Sequence, residues 1–319
     1  MKPFNLFPYD ANFNFMRYGW LSLTIAALLA LFSVGVMLVN SFPGGHFDPS
    51  RTFNYSLDFT GGTVTELHFS KPVEVDQIRA KIEKAGIAGA QVQRIGSRND
   101  LLVRMQAGHG SANDVLRAVD SADNPVTITK SDFVGPQVGR DLAINGLYAV
   151  IFMVIGLMVY VSVRFEFKFA VAAILTTLHD VVLVCGWFAI SGHEFDLNVL
   201  AGILAVMGFS INDTIVVFDR VRENFRSMRA EPVEVLNKSI NQTLSRTVIT
   251  SFVAFLSMLA LYVFGGESLR GLAESQIIGV VFGTLSSIFI GCPLLLMQKV
   301  NKQDLLPKAK DHAELARRP

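Results

Sequence analysis

Six runs of this chain are long and apolar enough to cross a bilayer, and they constrain its fold more than any other feature. A hydrocarbon core of about 30 Å takes roughly 20 apolar residues in helical form. Tyr18 to Asn40, Ala143 to Val163, Thr247 to Phe264 and Ser275 to Gln298 carry no Asp, Glu, Lys or Arg. Phe169 to Ile190 is interrupted only by His179 and Asp180, and Leu197 to Phe218 only by Asp213. Hydrophobic residues make up 51% of the chain and charged residues 17%, against about a quarter charged in a soluble domain. The first run is longer than a signal-peptide core, and no small-residue cleavage site follows before Phe42 and Pro43. It reads as a retained anchor.

Lys and Arg in the short loops set the orientation. Lys2 and Arg17 precede the first span, and Arg164 and Lys168 lie between the second and third. Arg220, Arg222, Arg226, Arg229 and Lys238 lie between the fourth and fifth. Lys299, Lys302, Lys308, Lys310, Arg317 and Arg318 follow the sixth. Of the loops on the other side, residues 191–196 have no cation and residues 265–272 have only Arg270. Both termini are therefore expected in the cytoplasm. The expected organisation is an N-tail and first span over 1–40, an outside domain with its flanking joints over 41–141, five spans over 142–298, and a cytoplasmic tail over 299–319. The five spans are placed at about 142–163, 169–190, 197–219, 244–264 and 273–298. The net charge of +1 gives no support to a nucleic-acid partner. Cys185 and Cys292 both fall inside apolar runs and read as packing residues rather than a disulfide pair.

Between the first two spans the periodicity changes. Residues 63–69, 91–95, 101–105 and 126–134 are β-prone, and 75–85 has helical spacing with Val75, Ile78 and Ile82 on one side. Ser111 can cap a helix whose apolar side is Val115, Leu116 and Val119. The order βαββαβ predicts an α+β, ferredoxin-like domain. His68 reads as a structural strand residue, and nothing in the domain resembles a catalytic constellation. Two glycine motifs flank it: Leu57-Asp58-Phe59-Thr60-Gly61-Gly62 before, and Val134-Gly135-Pro136-Gln137-Val138-Gly139 after. They read either as hinges between domain and membrane or as ordinary connectors.

An ionisable residue inside a span is costly and marks a functional path by default. Asp213 is the clearest case, with Ser210 and Asn212 close by. On the fifth span Arg246, Thr250 and Ser257 share one helix face. A contact between Asp213 and Arg246 is feasible, since both belong to the cytoplasmic half of their helices. The alternative is that Arg246 snorkels to the interface. His179 and Asp180 point about 100° apart on the third span, so they do not face one groove equally. They serve either as polar glue between helices or as a relay. Gly279, Gly283, Ser287 and Gly291 form a small-residue ladder for close packing, within the bundle or against another subunit. There is no Walker-type glycine-lysine motif, so ATP is not the expected energy source. An acid in a membrane bundle, neutral when protonated and paired when ionised, can act as a proton-coupled switch, and a proton gradient is the expectation. No cofactor, no metal and no enzymatic activity are expected.

The two glycine motifs, His179-Asp180, Ser210 to Arg220 and Gln242-Thr243-Leu244-Ser245-Arg246-Thr247 resemble the SecD/SecF family of bacterial protein-export membrane proteins. The resemblance covers nearly the whole chain and is to the stand-alone smaller-subunit form. It implies six helices equivalent to half of a transporter of the resistance-nodulation-division (RND) superfamily, with SecD supplying the other half. It implies partnership with SecD, the SecYEG channel, YajC and YidC. It also implies proton-driven completion of preprotein export across the inner membrane, after the ATP-driven step of SecA. By the same resemblance, Asp213, Arg246 and Thr250 serve proton conduction at the subunit interface, with His179 and Asp180 carried over more weakly. Half of an RND-type small-molecule exporter and a non-energised translocon scaffold are the competing readings.

Overall fold

A computed structural model of the chain describes residue 7 and residues 12–87, 90–105 and 110–301. Lys2, Lys302 and the basic residues beyond it lie outside the described residues. In chain order the elements are α1 (Gly19–Ser41), β1 (Asn54–Tyr55), α2 (Leu57–Thr60), β2 (Gly62–Phe69), α3 (Val75–Lys84), β3 (Gln91–Arg94) and β4 (Asp100–Met105). There follow α4 (Ala112–Val119), β5 (Val126–Val134), α5 (Pro136–Arg164), α6 (Phe167–Ser191), β6 (Glu194–Phe195), α7 (Leu197–Ser227) and α8 (Pro232–Phe264). The last are α9 (Glu267–Ser286), a π-helical turn over Ser287–Gly291, and α10 (Cys292–Met297). They divide into two compact units, Asn54–Val150 with Glu194–Leu197 and the remainder of the chain.

The smaller unit is the predicted βαββαβ domain. Its sheet is antiparallel throughout, in the order β3-β4-β2-β5. Alternation sends Leu67, Phe69, Leu101, Val103 and Met105 to one face, where they bury against Ile78 and Ile82 of α3 and Val115 and Val119 of α4. Ser111 starts α4 with a full capping box. Its Oγ accepts the Asp114 N–H, while the Asp114 carboxylate accepts the Ser111 N–H. The sequence did not announce β1 and β6, which form a two-residue parallel pair with Asn54 opposite Glu194. That pair draws the segment before α7 into this unit, and the Arg104 side chain of β4 forms an ion pair with Glu194.

The larger unit is a helical bundle. Among the described residues, six helices are long and apolar enough to span a membrane. In the apolar windows of α6, α7 and the α9–α10 helix, half or more of the residues are buried. For α1, α5 and α8 the share is about a tenth or less, so most of their apolar surface faces out of the chain. Small residues let the central helices close. A Cβ on Gly279 would strike Val206, one on Gly202 would strike Ser275, and one on Gly283 would touch Ser210. The small-residue ladder of the last span thus lies inside the bundle, against α7. Pro293 lacks the N–H that would bond the Phe289 carbonyl four residues back, and the helix passes through the π turn there. Ser22 of α1 donates to that carbonyl at 2.6 Å and so satisfies it.

Several helices are longer than the apolar runs that announce them. α7 continues to Ser227 and α8 begins at Pro232, because polar residues there keep helical spacing and pack on the bundle through Val221, Phe225, Val235 and Leu236. α5 begins at Pro136, a first-turn position that suits a proline.

Candidate functional site

The carboxylates inside the spans occupy two different settings. Asp213 on α7 is buried, at 4% exposure. Among the described residues its Oδ2 accepts a single hydrogen bond, from Ser251 Oγ of α8 at 3.3 Å. Two further hydroxyls, on Thr214 and Thr247, are buried without a hydrogen-bond partner. Arg246 is exposed, and the two form no ion pair. Helical geometry explains this. Thr247 and Ser251 share one face of α8, while Arg246, Thr250 and Ser257 share another, roughly 100–140° round the helix. The first face meets α7. On the second face Thr250 and Ser257 are exposed, and their hydroxyls turn back to the carbonyls of Arg246 and Val253 at 2.9 Å each. The predicted polar stripe thus exists and points out of the chain. Ser251 was not singled out by sequence reasoning; its i, i+4 relation to Thr247 was the available signal. Asn212 is exposed, turned away from its buried neighbour Asp213.

Asp180 is wholly buried, and its polar surroundings come from three helices of the same unit. Its Oδ2 accepts from Ser210 Oγ of α7 at 2.6 Å and from Ser286 Oγ of α9 at 2.7 Å. Its Oδ1 lies 3.1 Å from His179 Nδ1. The imidazole bends back to its neighbour, so the 100° separation of the two Cα–Cβ directions does not keep the side chains apart. Ser210 and Asp213 stand one turn apart on α7 and link the two settings through one helix.

The flanking glycine motifs pack together in the smaller unit. Gly61 and Gly62 have φ of 69° and 134°, which favour glycine, and a Cβ on Gly62 would run into the Met105 carbonyl oxygen. A Cβ on Gly139, in the first turn of α5, would press on Gly61 and Phe59. Asp58 Oδ2 accepts the Leu197 N–H at 3.2 Å and so caps the start of α7. Gly135 and Pro136 end β5 and open α5. Sequence reasoning left these motifs as either hinges or ordinary connectors; Gly62 and Gly139 pack closely against their neighbours, while Gly135 has open space around it.

At one end of the bundle Arg164 donates to Asp219 at 2.7 Å and Arg222 to Glu166 at 3.0 Å. Elsewhere Glu274 of α9, which sequence reasoning passed over, accepts from Trp187 Nε1 and faces His193 Nδ1, both at 2.7 Å. Outside the spans, burial pushes the Glu194 carboxyl up, with Arg104 pulling the other way. Hydrogen bonds from Ser97 and His68 hold Asp100 below the usual carboxylate range, and those of Ser111 do the same for Asp114. Among the described residues no group of three His, Cys, Asp or Glu side chains is placed to hold a metal.

A small ferredoxin-like domain and six helices long and apolar enough to span a bilayer, with carboxylates buried among the helices, define a polytopic membrane protein. The chain belongs to the SecD/SecF family of protein-export membrane proteins. Residues 114–301 match the family described as "Protein export membrane protein SecD/SecF, C-terminal", and residues 49–73 match the "SecD/SecF GG Motif". The chain is 42% identical to the protein translocase subunit SecF of Pseudomonas aeruginosa, over 88% of this chain and 92% of that one. It is 37% identical to SecF of Escherichia coli O157:H7, over 92% and 90%. Among solved structures it is similar to SecDF of Thermus thermophilus, a translocon-associated membrane protein, with a TM-score of 0.79 and 36% identity. That match covers 92% of this chain and 40% of the longer SecDF chain.

Proposed function

We propose that this chain is the SecF-type subunit of a bacterial protein translocase and that, paired with SecD, it uses the proton motive force to complete preprotein export. The observation that carries this reading is Asp213: a carboxylate deep in a span, met by one neutral hydroxyl of α8, the helix that also carries the exposed Arg246. Such a group can take up a proton and change its affinity for Arg246 as it does so. Moving one charge across the membrane is worth about 2.3 kcal/mol per 100 mV, so a few protons per cycle suffice to drive a conformational change. The outward face of α8, with Arg246 and Thr250, is the surface that SecD would complete. The 40% coverage of SecDF supports that division, since the remainder of the longer chain is left for the partner's portion.

In this reading the Lys and Arg of the short loops hold both termini in the cytoplasm, and the ferredoxin-like domain works in the periplasm on the emerging chain. SecA would act before it, and SecYEG, YajC and YidC would be its neighbours in the inner membrane.

The test is Asp213→Asn, assembled with SecD in membrane vesicles, with gradient-dependent completion of preprotein export as the readout. Loss of that component with normal assembly supports the reading. Unchanged export favours the scaffold reading, and altered small-molecule resistance without an export defect favours the exporter reading.

A further inference from the structure

We propose, on the basis of that export reading, that Asn237 and Asn241 are positioning residues: with Asn224 of α7 they fix the rotation of α8 about its own axis, and so decide which face of α8 meets Asp213. α8 runs unbroken from Pro232 to Phe264, with no proline or glycine after its first residue. Asparagine is a weak helix former, yet two stand one turn apart in its polar first half. Both bond to the segment before α1. Asn237 Oδ1 accepts the Met16 N–H at 2.9 Å, and its Nδ2 donates to Asn14 Oδ1 at 3.0 Å. Asn241 Oδ1 accepts the Phe13 N–H at 3.0 Å, and its Nδ2 donates to the Phe13 carbonyl at 2.9 Å. One amide thus pairs with both backbone groups of one residue. Only this orientation of the amide sets a donor against each acceptor.

The segment that these amides hold is itself seated. Asn14 Oδ1 also accepts the Arg17 N–H at 3.1 Å and so caps the 3-10 turn Phe15–Tyr18 that leads into α1. Met16 is buried in the apolar cluster that contains Val235, Leu236 and Ile240 of α8. Another side of α8 is held by α7. Asn224 Nδ2 donates to Ser239 Oγ and to Gln242 Oε1, at 2.9 Å each. Asn224 and Ser239 are both buried, where an unmade hydrogen bond is costly.

The side of α8 with Asn237 and Asn241 and the side with Ser239 and Gln242 stand roughly 100–160° apart round the helix. A helix gripped on one side can roll about its axis; gripped on two, it is held. The consequence falls roughly three turns on from Asn241. There Ser251 Oγ reaches Asp213, while Arg246 and Thr250 are exposed. A roll of about 100° would exchange these two faces and bring the guanidinium to the side where the hydroxyls now stand. The helix between is uninterrupted, so a grip at its polar end sets the rotation beside Asp213.

The test uses the full chain in bilayers, with Cys185 and Cys292 replaced by alanine and single nitroxide labels placed along residues 246–257. Collision with oxygen should show a helical period that peaks on the side of Arg246, Thr250 and Ser257. Asn237→Ala together with Asn241→Ala should turn that peak or flatten the period. In the same variant without labels, assembled with SecD, gradient-dependent export should fall about tenfold, the shift that losing one or two net hydrogen bonds allows. Asn241→Gln alone keeps the amide and should retain most of both. A merely structural tie would lower the melting temperature and leave the period in phase, and that result overturns the inference. So does full gradient-dependent export in a chain whose period has changed. If the double variant does not fold, Asn224→Ala and Asn241→Ala singly carry the same two measurements. Loss of coupling in Asp213→Asn with full coupling in the asparagine variants sinks this inference and leaves the export reading standing. Retained coupling in both sinks both.

Discussion

Asp180 and Asp213 are both buried carboxylates, and α7 touches each of them one turn apart, yet they are satisfied in different ways. Asp180 has three polar partners, all from this chain. Among the described residues Asp213 has one, and Arg246, which forms no ion pair with it, stands on an exposed face. A buried charge is tolerated when its hydrogen bonds are complete, and it is expensive when they are not. The first setting is therefore a finished part of the bundle. In the proposed reading the second is half a site, and SecD would cover the exposed polar stripe beside it.

The contrast can be broken most forcefully at Asp213. Asp213→Asn should reduce gradient-dependent export to the level seen without a gradient, while the chain itself remains folded. Next in size is the close packing that builds the closed setting. Gly279→Leu places a side chain where Val206 already lies and should destabilise the bundle by about 1–3 kcal/mol or more. Loss of helical signal at lower temperature in detergent would register it. The same change at Gly156, where a Cβ meets nothing, should be silent. Arg246→Ala sharpens the distinction from the other side. It should leave the thermal stability of the isolated chain unchanged and weaken co-purification with SecD. Equal loss in both measurements would mean that the arginine serves its own chain.

Smaller effects belong to the ferredoxin-like unit. Asp58→Ala removes a charged acceptor from the first turn of α7 and should cost about 1–2 kcal/mol, visible as faster amide exchange at Leu197 and its neighbours. The smallest effect is with pH. Asp100 and Asp114 have folded pKa values below their unfolded ones. Their stabilisation is present above the unfolded pKa of about 4 and is lost as pH falls through the depressed folded value. Glu194 is raised, so its contribution has the opposite sign: present below its unfolded pKa and lost as pH rises through the folded one. Amide exchange in β2 and β4 should therefore quicken in strong acid. Ser111→Ala should remove the Asp114 part of that dependence.

Much of this was legible in the sequence, because periodicity reports burial directly. The six spans follow from long apolar runs, four of them free of charge and two broken only by His179, Asp180 and Asp213. The βαββαβ order follows from alternation at Thr63 to Phe69 and helical spacing at Val75, Ile78 and Ile82. Ser111 announced its own capping box. What stayed hidden was pairing between distant segments. Nothing local marks Ser251 rather than Arg246 as the hydrogen-bond partner of Asp213, since the choice depends on how α8 is rotated against α7. The serines that hold Asp180 are ordinary residues of a span until three helices bring them together. The two-residue pairing of Asn54 and Tyr55 with Glu194 and Phe195 is too short to leave a pattern. Asp58 read as part of a hinge or an ordinary connector, and its partner, the Leu197 amide, was hidden because it lies 139 residues away.

Site-directed cross-linking from the open face of α8 tests the central claim most directly. With Cys185 and Cys292 replaced by alanine, Thr250→Cys in membranes containing SecD should cross-link to SecD, while Ser286→Cys, beside Asp180, should not. A Thr250→Cys variant that assembles and supports export but never cross-links to SecD would contradict the account, because the half-site at Asp213 would then have no second half.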